Sequence, residues 1–366
     1  MEVKGSIDHG GNVYAAAREL HRPISDIVDF SASINPLGPS PAVRRALAGA
    51  AALIEHYPDP DCRRLRELLA SRWKLSPGQF VIGNGSTELI DMIPRALAIR
   101  SALIAGPTFS EYAGALQRAG ARSITVPATR SEDYRPPLQK MSKHLQLQGT
   151  RRAAVDAVFV CNPNSPTGQI CDGTDLRALI KKADHSEVWT ILDETFIEYC
   201  EDQSMLPWLS RYPRLILLKS FTKFHALPGL RIGYSVSSAR TAAVLRQSQP
   251  PWSVNVLAQR AAEAAIEDRA HARRSLRYLR RERERLRAEL SSLPGLTLFP
   301  SRANFLLLEL PKPHRAAVVA AHLRRQGLLI RDCSLVPGFT PRTIRVAVRA
   351  RSENERLIAA LAKILR

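Results

Sequence analysis

Short apolar runs alternate with helical patterns along the middle of the chain. The runs lie at residues 80–82, 102–105, 157–160, 188–192, 215–218 and 230–234. Amphipathic stretches such as residues 86–97 and 175–182 separate several of them. Strands that alternate with helices form mostly parallel sheets, and near-continuous hydrophobicity is typical of strands buried on both faces. The pattern therefore predicts a large α/β/α domain built on a mostly parallel sheet.

A different pattern follows from about residue 254. One long helix or two helices are predicted up to residue 290, then strands at 296–300, 304–310, 328–331 and 343–348, with helices at 315–326 and 353–365. This is the signature of a smaller α+β domain. We expect an N-terminal segment, residues 1–40, that packs on the small domain or on a partner subunit. The large domain would span 41–253 and the small domain 254–366, and residues 131–152, polar and basic, are predicted to be irregular surface.

Composition narrows the class of protein. The chain has 366 residues, 45% of them hydrophobic and 24% charged, which is ordinary globular usage. Its net charge of +19 favours anionic ligands such as phosphorylated substrates. The arginines of residues 269–287 alternate with leucines at helical spacing, which favours a solvated surface helix over a nucleic-acid site. Five cysteines without a C-x-x-C pair predict neither a zinc site nor a disulfide framework, and hence a reducing, cytoplasmic compartment.

Residues that carry chemistry follow the predicted strands. Ligands of open α/β sheets bind beyond the carboxyl ends of the strands. Five strand ends carry, in turn, a glycine turn at 83–88, Phe109, a polar loop at 161–168, Asp193 and Lys223. Together they form the set of groups that pyridoxal phosphate requires.

Each of these groups meets one chemical requirement of pyridoxal phosphate. Its aldehyde condenses with an amine, here Lys223, and its ring nitrogen stays protonated beside a buried carboxylate, here Asp193. Its phosphate suits a helix N-terminus together with a hydroxyl and a guanidinium group. The candidates for the phosphate are Gly85, Ser86, Thr87, Ser220 and Arg231.

These motifs also carry a family resemblance. Residues 220–223 and 228–234 resemble the cofactor-lysine segment of fold-type I pyridoxal-phosphate enzymes, 164–168 their N-P-T-G loop and 193–196 their D-E-A-Y strand end. The resemblance runs in family order from about His9 to the C-terminus. Residues 9–12, 29–38 and 251–255 are most similar to the L-threonine O-3-phosphate decarboxylases of cobalamin biosynthesis, which are related to histidinol-phosphate aminotransferases.

The resemblance implies a role for each matching residue. Lys223 would hold the cofactor covalently and move protons, Asp193 would pair with the ring nitrogen, and Phe109 would stack on the ring. Tyr57 would reach the cofactor phosphate of the partner subunit, which implies a homodimer with shared active sites. The implied substrate contacts are Arg345 to the carboxylate, Arg331 and His9 to the phosphate, and Asn35. Two positions depart from the family: Ser165 stands where asparagine is usual and Phe196 where tyrosine is usual. The resemblance leaves Ser165, or a water, as the donor to the ring oxygen of the cofactor.

Three functions remain open at this stage. The resemblance implies decarboxylation of L-threonine O-3-phosphate to (R)-1-aminopropan-2-yl phosphate. The alternative is transamination of histidinol phosphate or a related amino acid, since the same residues serve both reactions. The bond at Cα that stands perpendicular to the cofactor ring decides between them, and the sequence does not show it. A nucleic-acid-binding regulator on the same fold is a distant third, and we expect neither a nucleic-acid nor a membrane partner.

Overall fold

The structure, a computed structural model, describes residues 10–145 and 155–366. The helices are α1 (Val13–Leu20), α2 (Pro41–Ala50), α3 (Arg63–Trp73), α4 (Gly85–Ala96), α5 (Glu111–Arg118), α6 (Leu138–His144), α7 (Gly173–His185), α8 (Ala239–Gln247), α9 (Val256–Glu267), α10 (Arg269–Ser291), α11 (Ala316–Arg325) and α12 (Arg351–Ile364). The strands are β1 (Val28–Asp29), β2 (Phe80–Gly83), β3 (Ser101–Gly106), β4 (Arg122–Pro127), β5 (Ala157–Cys161), β6 (Trp189–Asp193), β7 (Leu215–Ser220), β8 (Gly233–Val236), β9 (Thr297–Leu298), β10 (Phe305–Glu309), β11 (Leu328–Leu329), β12 (Arg331–Asp332) and β13 (Thr343–Ala347).

A seven-stranded sheet forms the centre of the molecule. Its strand order is β2-β8-β7-β6-β5-β3-β4, and the neighbours from β7 to β4 run parallel. Strand β8 is antiparallel to both β2 and β7. The predicted fold class, a large mostly parallel sheet with a smaller second unit, is confirmed.

Both faces of this sheet are buried, as the continuous apolar runs predicted. In β5, Val158 and Val160 belong to one hydrophobic cluster, whereas Ala157 and Phe159 belong to the cluster on the other face. Successive side chains of a strand point to opposite faces, so a strand covered on both sides needs apolar residues at every position.

The C-terminal part has its own sheet and core. Strands β12, β13, β10 and β9 form an antiparallel sheet, and its core takes leucines from α10, α11 and α12. Strand β1 pairs with β11 in parallel, with Val28 opposite Leu328, so the N-terminal segment is joined to this part. The domain boundaries near residues 40 and 253 remain predictions.

Several predicted elements are corrected by the structure. Of residues 131–152, predicted as irregular surface, residues 131–145 contain helix α6, whose Leu138 and Met141 lie in the main core, and residues 146–152 lie outside the described residues. Residues 230–232 precede β8 instead of opening it, since Arg231 has a φ of 54°.

Strand β4 was not predicted, because it is an edge strand whose residues are mostly exposed. The long helical pattern is two helices that meet at Asp268, whose carboxylate accepts from the backbone N–H of His271.

Candidate active site

The sheet register places the predicted phosphate ligands side by side. Gly233 is the partner of Gly83 on one side and of Ser220 on the other, so the ends of β2 and β7 meet at the start of β8. A Cβ atom on Gly85 would lie 2.7 Å from Nη2 of Arg231, and Gly85 has a φ of +77°, which favours glycine. The guanidinium of Arg231 therefore lies directly against the N-terminus of α4, where backbone N–H groups attract anions.

Two hydroxyl groups border the same position. Ser220 is buried at the end of β7, and its Oγ lies 2.8 Å from Oγ1 of Thr222. Together with Ser86 and Thr87 on the first turn of α4 and with Arg231, they form a cationic, hydroxyl-lined turn that we call the phosphate cup.

Asp193 ends strand β6 as a buried carboxylate that is 4% exposed. Its Oδ2 accepts from the Tyr112 hydroxyl at 2.6 Å, and its Oδ1 accepts from the backbone N–H of Thr195 at 2.8 Å. Burial raises the pKa of the Asp193 carboxyl, while these hydrogen bonds lower it. No residue that the structure describes forms an ion pair with Asp193, so within residues 10–145 and 155–366 this buried acid has no cationic partner.

Lys223 lies in the loop that follows β7, between the phosphate cup and the C-terminal sheet. Burial and the guanidinium groups of Arg345 and Arg231 lower the pKa of Lys223 to about 8, against the opposing effect of Asp29 and Asp193. No carboxylate within residues 10–145 and 155–366 forms an ion pair with its Nζ. An amine with such a pKa is partly neutral near pH 7 and is therefore a competent nucleophile.

Phe109 is held in place by a network between two strand ends. Its ring meets Tyr112 edge to face, with centroids 5.7 Å apart. The neighbouring Thr108 donates to Oδ1 of Asn164 at 2.7 Å, and Nδ2 of Asn164 donates to the Pro107 carbonyl at 2.9 Å. These bonds join the loops after β3 and β5, so Phe109 lies on a fixed loop beside Asp193.

Two arginines of the C-terminal sheet form a cross-strand pair. Arg331 on β12 lies directly opposite Arg345 on β13, and each is 8% exposed. Nη2 of Arg345 donates to the Ser31 carbonyl at 2.6 Å, and its Nη1 donates to Oγ of Ser165 at 3.2 Å. These partners of Arg345 are neutral, as is the Phe305 ring beside it, and a buried guanidinium group with neutral partners favours an anionic ligand.

The structure shows what surrounds Ser165 and Phe196, the two positions that depart from the family pattern. Ser165 accepts a hydrogen bond from Arg345, and this bond connects the loop after β5 to the C-terminal sheet. Phe196 is buried and meets Phe305 edge to face at 5.1 Å. The Phe305 ring in turn lies 5.0 Å from the Arg345 guanidinium carbon. Both positions therefore support Arg345.

Three further predictions have different outcomes. The side chain of Asn35 is engaged within the chain: its Nδ2 donates to the Phe224 carbonyl and to Ser275 Oγ, both at 2.9 Å, and its Oδ1 accepts from the backbone N–H of Leu37. Both hydrogens of its amide group are thus used, which speaks against its predicted role as a substrate ligand. Tyr57 is 80% exposed and stacks on Trp252 with centroids 4.7 Å apart. His9 lies outside the described residues.

The assembled residues fit pyridoxal phosphate. The phosphate cup suits a dianion, the buried Asp193 carboxylate suits a protonated ring nitrogen, and Lys223 offers an amine of low pKa.

The sequence analysis did not predict Tyr112, Thr222 or Ser31 as site residues. Tyr112 lies three positions after Phe109, and Thr222 lies directly before Lys223. Their closeness in sequence to predicted site residues could therefore have identified them. Ser31 and Arg345 are 314 residues apart in the chain, so no local sequence pattern indicates their contact.

The comparisons with known proteins agree with this fold and site. The family of class I and II aminotransferases matches residues 25–364, and the chain belongs to this family. Threonine-phosphate decarboxylase of Salmonella typhimurium is 38% identical over 359 residues, which cover 98% of this chain and 96% of that relative. Histidinol-phosphate aminotransferase of Moorella thermoacetica is 34% identical over 363 residues, covering 97% of this chain and 89% of the relative.

A solved structure shows the same likeness. The crystal structure of L-threonine-O-3-phosphate decarboxylase from Porphyromonas gingivalis matches with a TM-score of 0.79 at 26% identity, covering 93% of this chain and 99% of that one. Among the described residues, no helix is long and apolar enough to cross a membrane, and no cluster of acidic, histidine or cysteine side chains could hold a metal ion.

Proposed function

We propose that this protein is a pyridoxal-phosphate-dependent carboxy-lyase that converts L-threonine O-3-phosphate to (R)-1-aminopropan-2-yl phosphate in cobalamin biosynthesis. The observation that carries the proposal is the buried guanidinium group of Arg345, which lies close enough to Lys223 to lower the pKa of that amine and which Ser31 and Ser165 hold in place. The proposed substrate has a carboxylate on Cα that Arg345 would bind, whereas histidinol phosphate has no carboxylate.

The bound cofactor supplies a cationic ring that accepts the electron pair released when a bond to the substrate Cα breaks. Asp193 would place a negative charge at the ring nitrogen. Ser220, Arg231 and the start of α4 would hold the cofactor phosphate, and Phe109 would cover the ring. Lys223 would hold the cofactor through its amine, and the same amine would deliver a proton to the substrate Cα.

The arginines orient the substrate. Arg345 has two of its nitrogens bound by Ser31 and Ser165, so its guanidinium plane is fixed before substrate binds. Such a rigid group holds a carboxylate in one orientation. In our proposal this orientation would expose the bond between Cα and the carboxylate to cleavage. Arg331 receives the phosphate of the substrate.

Two assays on purified holoenzyme test this function against transamination, the alternative that the aminotransferase relative supports. Trapping of labelled carbon dioxide from carboxyl-labelled L-threonine O-3-phosphate, with the amine product identified by mass spectrometry, is the expected result. Nitrogen transfer from histidinol phosphate to 2-oxoglutarate, without release of carbon dioxide from phosphothreonine, would show that the enzyme is an aminotransferase.

We further propose a homodimer in which Tyr57 completes the partner's phosphate cup. The support is the exposed pair of Tyr57 and Trp252, because two stacked aromatic rings on a surface mark an interaction site. Sedimentation of the holoenzyme should give twice the chain mass. A monomer with full activity would exclude the shared site.

A further inference from the structure

Asn35 donates two hydrogen bonds to the loop that carries Lys223, which we call the lysine loop, and a third to helix α10. Its backbone N–H donates to the Lys223 carbonyl at 3.1 Å, and its side-chain Nδ2 donates to the Phe224 carbonyl at 2.9 Å. The same Nδ2 donates to Ser275 Oγ at 2.9 Å. Asn35 is 2% exposed, so water offers these groups little alternative.

The hydrogen-bond partners of Asn35 lie far from it along the chain. Asn35 lies in the N-terminal segment, and Phe224 and Ser275 are 189 and 240 residues away from it. Ser275 is fully buried on α10, one turn before Leu279, which belongs to the core of the C-terminal sheet. One amide group thus joins the loop of Lys223 to the helix that carries the C-terminal core.

Other contacts also restrain this loop: the backbone N–H of Thr222 donates to Ser220 Oγ at 3.2 Å, and the Phe224 ring meets Tyr199 edge to face. The Lys223 carbonyl also accepts from the backbone N–H of Ala226 at 3.3 Å, and Ala226 has a φ of 56°. A loop that turns through a left-handed residue keeps its shape when surrounding contacts hold it. Because Asn35 binds two successive carbonyls, it fixes both the position and the direction of the backbone that carries the Lys223 amine.

We propose that Asn35 is a positioning residue that couples the seating of α10, through Ser275, to the placement of Lys223. The inference rests on the proposed function only for its kinetic readout. Asn35 does not touch the reacting atoms; it acts on Lys223 through the backbone. A misplacement of about 1 Å at a reacting group costs about 10²-fold in rate, so a loosened loop lowers turnover more than substrate binding.

The first measurement uses Asn35→Ala, Ser275→Ala and the double variant in the full-length chain. Asn354→Ala is the matched control, since Asn354 is fully buried, binds the backbone of Arg349 through both side-chain atoms, and lies on α12. We expect Asn35→Ala to lower kcat for decarboxylation about 10- to 100-fold with KM changed less than about threefold. Ser275→Ala is expected to cost less, and the control should leave both constants near wild type.

The second measurement does not depend on turnover. Chains stripped of cofactor are mixed with pyridoxal phosphate, quenched with borohydride at intervals, and the mass adduct on Lys223 is quantified. Capture is expected to slow by the same factor as kcat in Asn35→Ala, and Ser275→Ala should add nothing in that background. An equal effect of Ser275→Ala in both backgrounds, or a loss in Asn354→Ala as large as in Asn35→Ala, would overturn the coupling. If wild type releases no carbon dioxide from phosphothreonine, the proposed function fails while the capture series still decides this inference.

Discussion

Replacement of Asp193 by asparagine separates the chemical role of this residue from its structural one. Asparagine has the same shape, and its carbonyl oxygen keeps the hydrogen bond from the Thr195 backbone. Its NH₂ group then faces the Tyr112 hydroxyl, whose oxygen accepts a hydrogen bond as readily as it donates one. Since burial of the charged carboxylate is unfavourable, the neutral variant should unfold at the wild-type temperature or above it.

The effect on catalysis is expected to be large. A carboxylate about 4 Å from a cation contributes ~4 kcal/mol at an effective dielectric constant of about 20. One factor of ten in rate corresponds to about 1.4 kcal/mol, so loss of this charge lowers kcat about 10³-fold. The assay is release of carbon dioxide from phosphothreonine at saturating cofactor, with thermal unfolding measured on the same preparation.

Asp156→Asn is the control for this experiment. Its carboxylate also accepts two backbone hydrogen bonds, from Arg100 and Ser101, but it lies at the opposite end of the sheet. It should change kcat less than about threefold. If Asp193→Asn retains turnover within tenfold of wild type, Asp193 does not hold the charge of the cofactor ring, and the assignment of this site is wrong.

Three other predictions address the remaining groups. Arg231→Ala should weaken cofactor binding about 10- to 100-fold, because charge-assisted hydrogen bonds contribute about 1.5–3 kcal/mol; equilibrium dialysis measures this, and unchanged affinity would remove Arg231 from the phosphate cup. Arg345→Gln should raise KM for phosphothreonine about 100-fold by the same reasoning, and steady-state kinetics with an unaltered KM would contradict its role. At a pKa of about 8, roughly 10% of Lys223 is neutral at pH 7, against roughly 0.03% for an ordinary lysine. Cofactor capture by stripped enzyme should therefore rise with pH and level off above about pH 9, whereas a rate that climbs steadily to pH 10 would show an unshifted amine.

The central sheet and its strand ends could be predicted because the information is local. Each strand buried on both faces is a continuous apolar run, and the residue after each run lies at one edge of the sheet. Asp193 and Lys223 were predicted as site residues in this way. The exposed edge strand β4 has no such run, and α6 buries only Leu138 and Met141 within a basic stretch, so neither shows the pattern that identifies an element.

The contacts between segments could not be predicted, because they depend on tertiary packing. The sequence favoured Asn35 as a substrate ligand, but its amide is used by Phe224 and Ser275, which lie far along the chain. Arg331 and Arg345 were each predicted to bind an anion, yet their direct pairing follows from the antiparallel register of β12 and β13. A single sequence gives the strands and leaves the register undetermined.

The site is built where two sheets meet, and this division separates the two tasks of the enzyme. The seven-stranded sheet carries Asp193, the phosphate cup and Lys223, which in the proposed function would serve the cofactor. The C-terminal sheet carries Arg331 and Arg345, which in the same proposal would bind the substrate anions. Ser165 and Asn35 join the two parts, the first through Arg345 and the second through the lysine loop. On this proposal, the choice between decarboxylation and transamination would depend on how the C-terminal sheet is placed relative to Lys223, and residues that set this placement would control specificity without contacting the bond that breaks.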